Sequence, residues 1–356
     1  MPEVRSKLRE AREALGVGQA ELAKQIGVSR QALGKLEAGL SQPNVSTALH
    51  LARALACSVE QLFSLDAASS VIECEGELGE GERVIVARVA GRWVAHALDE
   101  LHGLVRSDGV VRGPSTSSTR WRVETTRAPE QLGESIVIAG CAPGLGVVVE
   151  LARERGLSLR WLPCDSGRAL RLLGEARVHL AGLHLYDDDA DEYNAPQVRR
   201  TLPRAGLLAF TRWSAGLALA PDNPLAIRRP GDLCRARAQP RVARRQPGSG
   251  AGLLLRRQIG DATTKGPTAR DHLDVARLIQ AGAADAGITI EPIARAIGLT
   301  FLPLADERFD LAGAAETFAD PRVVRLAELL AESEVQAQFA PFAGEDPRDA
   351  GQLTLL

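Results

Sequence analysis

Apolar residues recur three and four apart from the start of the chain. Val4, Leu8, Ala11 and Leu15 predict a first helix that Gly16 and Gly18 end. A second stripe, Ala20, Leu22, Ala23 and Ile26, opens at Gln19 and breaks at Gly27. Ser29 is placed to cap a third helix over 30–38, closed by Gly39. Pro43 and Asn44 introduce a fourth through Leu49, Leu51, Ala52, Leu55 and Ala56, and Ser58 to Phe63 supplies a short fifth. Two short helices across a tight glycine turn are a helix-turn-helix, and the five together predict a small bundle over 1–65. The period then shortens. Val71–Cys74 and Arg83–Ala90 read as strands, Trp93 and Val94 follow a Gly91-Arg92 turn, and Gly113–Thr119 reads as a loop. A β-rich connector over 66–127, spacing or dimerising the larger parts, is the expectation. From Ser135 strand and helix alternate: 136–139, 145–155, 159–162, 168–175 and 178–182. Such alternation predicts an α/β sheet that binds ligands at the C-terminal ends of its strands. A second alternating block after Phe210 and a return at 299–304 predict two lobes flanking a cleft, over 128–356. The predicted fold class is multidomain: an all-α bundle, a small β-rich connector, then a two-lobed α/β domain.

Composition narrows the function. A hydrophobic fraction of 45% with 25% charged residues is that of a folding chain and excludes a disordered tail. The net charge of −2 excludes a surface basic all over, although DNA binding needs only a local patch. Residues 1–65 carry eight Lys/Arg against six Glu, a mildly basic surplus. The five cysteines are scattered, with no C-x-x-C pair and no zinc-finger spacing, so neither a structural metal nor a disulfide framework is indicated. The first residues form a charged amphipathic stretch, and no apolar run approaches a membrane span, so a cytoplasmic protein without membrane contact is expected.

The block Gln19-Ala-Glu-Leu-Ala-Lys-Gln-Ile-Gly-Val-Ser-Arg-Gln-Ala-Leu-Gly-Lys-Leu-Glu-Ala-Gly39, with Gln42-Pro-Asn44 and Leu51-Ala-Arg-Ala-Leu-Ala56, resembles the phage-repressor-like, XRE type of helix-turn-helix domain. The resemblance implies that the helix beginning at Ser29 enters the major groove of double-stranded DNA. Arg30 is suited to guanine and Gln31 to adenine, while Lys35 is suited to phosphate. Gln19 and Asn44, at helix starts, match the family's backbone-contact positions. Gly34 departs from a position where the family often has a polar side chain. Palindromic operators imply a homodimer.

In the C-terminal region the strand-to-helix loops carry the chemistry. Gly140–Gly146 and Asp165-Ser166-Gly167 each lead from a strand into a helix start, where backbone N–H groups point outward and favour anions. Arg244–Gly252 sets two guanidiniums beside a glycine-rich helix start bearing a hydroxyl, so that Arg245, Ser249 and the N–H of Gly250 would hold an oxyanion. These glycines fit neither a P-loop nor a dinucleotide fingerprint, so neither ATP nor NAD is indicated. From about Val137 to Asp310 the chain resembles a periplasmic-binding-protein-like domain of the molybdate-binding type. The resemblance rests on Gly140-Cys141, Ala181-Gly-Leu-His-Leu185, Glu192-Tyr193-Asn194, Arg212 with Gly216-Leu217, Asn223-Pro224, Arg245-Gln246 with Gly248-Ser249-Gly250, His272 and Gly282–Gly287. With Asp165 and Ser166 from the second loop, the candidate ligand set is Cys141, Asp165, Ser166, Tyr193, Asn194, Arg212, Arg245, Gln246, Gly248, Ser249, Gly250 and His272. Ala251 stands where the family usually has threonine, and Arg244 where asparagine is common.

These readings predict a ligand-responsive DNA-binding regulator whose effector, an oxyanion such as molybdate or tungstate, closes two lobes and alters operator affinity. No cofactor is implied. The alternative keeps the architecture and gives the cleft an organic ligand, with Trp161, Trp213 and Tyr193 as stacking candidates against a plain core role. An enzyme drawing on Ser249, His272 and Asp285 is not expected, because Ser249 lacks a nucleophile elbow. His184 and Asn194 flank the acidic run Asp187–Glu192, which reads as a solvated surface loop rather than a metal site.

Overall fold

The computed structural model describes residues 4–65, 70–98, 106–116, 119–235, 240–246, 248–260, 265–338 and 345–356. Contacts divide the chain into one unit of 1–72 with 123–129 and another of 73–122 with 130–356.

In the first unit, helices α1 (Leu8–Ala14), α2 (Gln19–Ile26), α3 (Arg30–Glu37), α4 (Val45–Ala54) and α5 (Val59–Leu62) bury one cluster of Leu8, Leu22, Leu33, Leu36, Leu51, Leu55 and Leu62. Local chemistry sets their starts. Ser29, Asn44 and Ser58 each accept a hydrogen bond from the N3 backbone N–H of α3, α4 and α5. Gly27, at φ 74°, ends α2 in the left-handed conformation. Val4 falls outside the helix that its spacing predicts. It lies in β1 (Val4–Ser6), which pairs antiparallel with β2 (Phe63–Leu65), so its backbone serves a ladder instead of a helical turn.

The connector is a closed barrel of β3 (Ser70–Glu75), β4 (Arg83–Val89), β5 (Arg92–Ala97), β6 (Gly109–Pro114) and β7 (Arg120–Thr125). Ala90 and Gly91, both at positive φ, make the tight β4–β5 turn. Gly113 and Pro114 end β6 rather than opening the loop; Ser117 and Ser118 lie outside the described residues. Ile85, Ala87, Val89 and Val94 pack into one cluster with Val137, Ala139, Leu172 and Val178 of the α/β domain. Arg92 donates to the carbonyls of Glu175 and Ala176, His96 meets that of Arg177, and buried Asp108 takes a two-pronged bond from Arg160.

After α6 (Pro129–Gly133), lobe 1 runs β8 (Ile136–Gly140), α7 (Gly144–Glu154), β9 (Leu159–Pro163), α8 (Ser166–Gly174), β10 (Leu180–Leu183), the small hairpin β11 (Tyr186–Asp187) and β12 (Glu192–Tyr193), and α9 (Ala195–Thr201). The 15-residue β13 (Ala205–Leu219) then crosses into lobe 2. There follow α10 (Asp232–Arg235), β14 (Val242–Arg245), α11 (Gly250–Ile259), β15 (Thr268–Ala269), α12 (His272–Gln280), β16 (Ala286–Ile290) and α13 (Glu291–Ala296). The equally long β17 (Thr300–Ala314) returns. Helices α14 (Pro321–Ala331) and α15 (Ser333–Ala337) follow, and β18 (Glu345–Asp346) and β19 (Leu353–Leu355) both pair with β13. The sheet order β15-β14-β16-β13-β17-β10-β8-β9 puts the two long antiparallel strands at the centre, shared by both lobes. Their register shifts at Ala209/Thr211 and Ala215/Gly216, and such irregularities bend a ladder where the chain passes between lobes.

Candidate functional site

The side chains of the helical bundle that the sequence assigns to DNA are tied to a buried ion pair. Arg12 Nε donates to Glu37 Oε1 at 2.6 Å, and its Nη1 to the carbonyl of Val17 at 2.8 Å. Glu37 Oε2 also accepts from Gln19 Nε2 at 2.9 Å, and Gln19 Oε1 in turn accepts from Arg30 Nε at 3.3 Å. A chain of hydrogen bonds therefore runs from the core to the first residue of α3. Burial alone would raise the Glu37 carboxyl, but the bonds from Arg12 and Gln19 outweigh it and hold the group below its usual range. Gln19, Arg30, Gln31, Gly34, Lys35 and Leu40 line an open depression on this surface. Ser29 and Asn44 serve as exposed N-caps, accepting from the N–H groups of Ala32 and Thr47.

In the α/β domain, the ends of several elements converge on one buried cluster. Cys141 follows β8 and His184 follows β10, while His272 opens α12 from lobe 2. His184 Nε2 lies 3.3 Å from Cys141 Sγ, and its Nδ1 lies 2.7 Å from Glu307 Oε2, which also accepts from Trp213 Nε1 at 2.9 Å. Ser166 Oγ accepts from the His184 N–H at 3.2 Å. Burial by itself would depress the His184 imidazole; the adjoining Glu307 carboxylate and Cys141 reverse that and raise it. His272 is driven well below the usual histidine range by burial, then by the charges of Arg245 and His184. Burial pushes the Cys74 and Cys164 thiols up to about 12.

Two groups here are buried without partners. Arg245, 8% exposed, donates from Nη2 to the carbonyl of Arg270, while Nε and Nη1 have no partner. His272, 1% exposed, has no partner at either ring nitrogen. The lobes meet closely beside them. A Cβ on Gly250, at the start of α11, would sit 2.5 Å from His184 Cε1 and 2.7 Å from the His184 carbonyl. Within lobe 1 a Cβ on Gly182 would run into the Phe309 ring at 2.3 Å, so glycine there makes room for the returning strand β17.

The structure therefore brings Cys141, Ser166, Arg245, Gly250 and His272 to the cluster region. The other predicted ligand residues are engaged elsewhere. The Ser249 hydroxyl donates to the Gln246 carbonyl and accepts from the Gly252 N–H, capping α11. Gly248 provides the positive-φ turn before it, and the Gln246 side chain is exposed. Asp165 caps α8. Asn194, at φ 63°, is held by Leu185, Asp310 and the Arg308 carbonyl, clasping lobe 1 to β17. Arg212 pairs with Asp349, and Tyr193 stacks edge-on against Tyr186. Asp285 pairs with Arg241 at 2.8 Å and so does not orient His272. In the acidic run, Asp187 is bonded to Arg200, Asp188 to Arg257 and Glu192 to Arg199. Trp161 donates to the Gly140 carbonyl, and Trp213 is core. Sequence reasoning missed Glu307 and Asp310, which stand in the charged stretch Asp306-Glu-Arg-Phe-Asp310 of β17.

Comparison with known proteins gives a helix-turn-helix model matching residues 8–62 and a PBP superfamily domain model matching residues 148–331. The uncharacterized protein YvgK of Bacillus subtilis is 30% identical over 190 residues, which are 51% of this chain and 60% of that one; the chain thus spans less than two thirds of that relative. An uncharacterized HTH-type transcriptional regulator of Methanothermobacter thermautotrophicus is 42% identical over 64 residues, 18% of this chain and 93% of its own length. Among solved structures, an ABC-type phosphate transport receptor from Vibrio cholerae aligns with TM-score 0.42 and 11% identity, over 59% of this chain and 98% of that one. Among the described residues, no helix is long and apolar enough to cross a membrane.

Proposed function

We propose, for a chain that belongs to the PBP superfamily and carries an XRE-type helix-turn-helix at its N-terminus, that a small oxyanion of the molybdate or tungstate class occupies the cleft and changes the affinity of the protein for its operator. The protein acts as a homodimer, with α3 of each copy reading one half-site. The observation that carries this reading is Arg245. Leaving two guanidinium nitrogens buried and unpaired is costly, about 1–3 kcal/mol for each ordinary polar group and more for a charged one. An oxyanion bound there supplies acceptors in the planar geometry that a guanidinium prefers. Because the lobes meet at Gly250 and His184, a ligand bound there acts on the closed arrangement, and so shifts the population of that state. An organic effector would draw on stacking rings, but Trp213 is buried in the core, half-buried Trp161 packs against it and donates to the Gly140 carbonyl, and Tyr193 packs edge-on against Tyr186, which favours the oxyanion.

The test is calorimetric titration of the full chain with molybdate, tungstate, sulfate and phosphate, repeated on Arg245→Ala. Loss of about 1.5–3 kcal/mol from a charge-assisted bond predicts an affinity lower by roughly 10- to 150-fold in the variant. Absence of heat with every oxyanion, or equal affinity in the variant, overturns the reading and moves the effector to the organic class.

A further inference from the structure

We propose that Cys141, His184 and His272 form a binding site for a transition-metal ion of the zinc class, ligated from both lobes at once. One ligand atom from each residue lies within 4.8 Å of the other two, and all three side chains are buried. Tetrahedral ligation with bonds of about 2.0–2.3 Å would set such atoms roughly 3.3–3.6 Å apart. The Cys141–His184 separation of 3.3 Å already stands there. A thiolate with two imidazoles is a borderline-soft donor set, which suits this class over magnesium or calcium.

Two further observations point to an ion rather than to plain packing. The first is the support behind His184. Its Nδ1 is tied to Glu307, which Trp213 fixes in turn, and this aims Nε2 at the thiol. A carboxylate behind a ligating imidazole is the usual means of orienting it and raising its basicity. The second is His272, 1% exposed, with neither nitrogen partnered, although its ring centre is only 5.6 Å from that of His184. Buried polar groups are ordinarily satisfied, and a metal ion would satisfy this one. Three protein ligands leave a fourth position for a small exogenous ligand.

Geometry also gives the ion a consequence. Cys141 and His184 belong to lobe 1 and His272 to lobe 2, so a bound ion clasps the cleft shut. The ligand set stands independently of the oxyanion reading.

The test uses the full chain, stripped with a chelator, kept reduced without added thiol and titrated with cobalt(II). One equivalent should bind, with the near-ultraviolet sulfur-to-cobalt charge-transfer band and the visible bands of tetrahedral cobalt. Cys141→Ser, nearly isosteric, should abolish the charge-transfer band. Glu307→Gln should weaken binding by about 10- to 100-fold, and His272→Ala should weaken it while Cys234→Ser, at an exposed thiol outside the cluster, leaves it unchanged. A featureless titration, or a charge-transfer band that survives Cys141→Ser, overturns the proposal. Unchanged affinity in a His272→Ala protein with native circular dichroism overturns ligation from both lobes. Titrating the metal-free protein with molybdate separates the two readings, since oxyanion binding there neither requires nor reports the metal.

Discussion

Removing the Glu37 carboxylate should unfold the helix-turn-helix bundle selectively. Its side chain is 1% exposed and that of Arg12 11%, so Glu37→Ala strands a nearly buried guanidinium. Breaking a buried pair from one side costs about 3–5 kcal/mol. Arg12 keeps its bond to the Val17 carbonyl, which argues for the lower end, about 3 kcal/mol. A bundle of this size, at 0.05–0.15 kcal/mol per residue, has only about 3–8 kcal/mol to lose. The variant should therefore raise the population of open bundle by roughly 150-fold. Hydrogen exchange over residues 8–62 of the full chain reads this directly, with exchange in the α/β domain as the internal control. The acid dependence supplies a second reading. Because the folded carboxyl is held below its unfolded value of about 4.3, its contribution is complete above that pH and is lost as the pH falls toward the folded value. Glu37→Gln, which does not titrate, should flatten that part of the profile. Unchanged protection in Glu37→Ala, or identical acid profiles for wild type and Glu37→Gln, would refute the ion pair as the bundle's support.

Further tests address the two binding surfaces and the barrel. Arg30→Ala should cost on the order of 1–3 kcal/mol at one base position in a selected-site binding assay, and an unaltered preference would remove that residue from base readout. Gly250→Ala forces a methyl against the ring and carbonyl of His184, an overpacking cost of about 1–3 kcal/mol that falls on the closed state. Oxyanion affinity should drop by roughly 5- to 150-fold, and small-angle scattering should show a more open domain; a variant that binds like wild type means the lobes need not meet there. Asp108→Ala leaves the buried Val86 N–H without its side-chain acceptor and Arg160 with the Leu159 carbonyl alone, so local exchange over residues 83–97 should accelerate, by roughly 150-fold for a loss of about 3 kcal/mol.

The elements legible in the sequence were those with local signals. Ser29, Asn44 and Ser58 announce their helices, and the alternation from Ile136 to Leu183 follows from short apolar strands separated by amphipathic helices. What stayed hidden depends on pairing at a distance. β17 contains Asp306, Glu307, Arg308 and Asp310, a charge pattern that locally reads as loop, and only pairing with β13 makes it a central strand. The barrel was equally opaque, since five short strands close only through contacts that no local periodicity encodes. At the site, Arg245 and His272 were visible as residue types, but their lack of partners was not. Ser249 illustrates the converse: a hydroxyl beside glycines suggests an anion ligand, and the fold instead uses it as a helix cap.

The docking of the barrel has a mechanical corollary. Its apolar strand faces and the polar contacts of Arg92, His96 and Asp108 all engage lobe 1, while β13 and β17 alone carry the chain between lobes at the irregular registers. On the proposed reading, barrel and lobe 1 act as a stator and lobe 2 as the part that turns when the cleft fills. Substitutions on the outer surface of lobe 2 are then where response should separate from ligand binding.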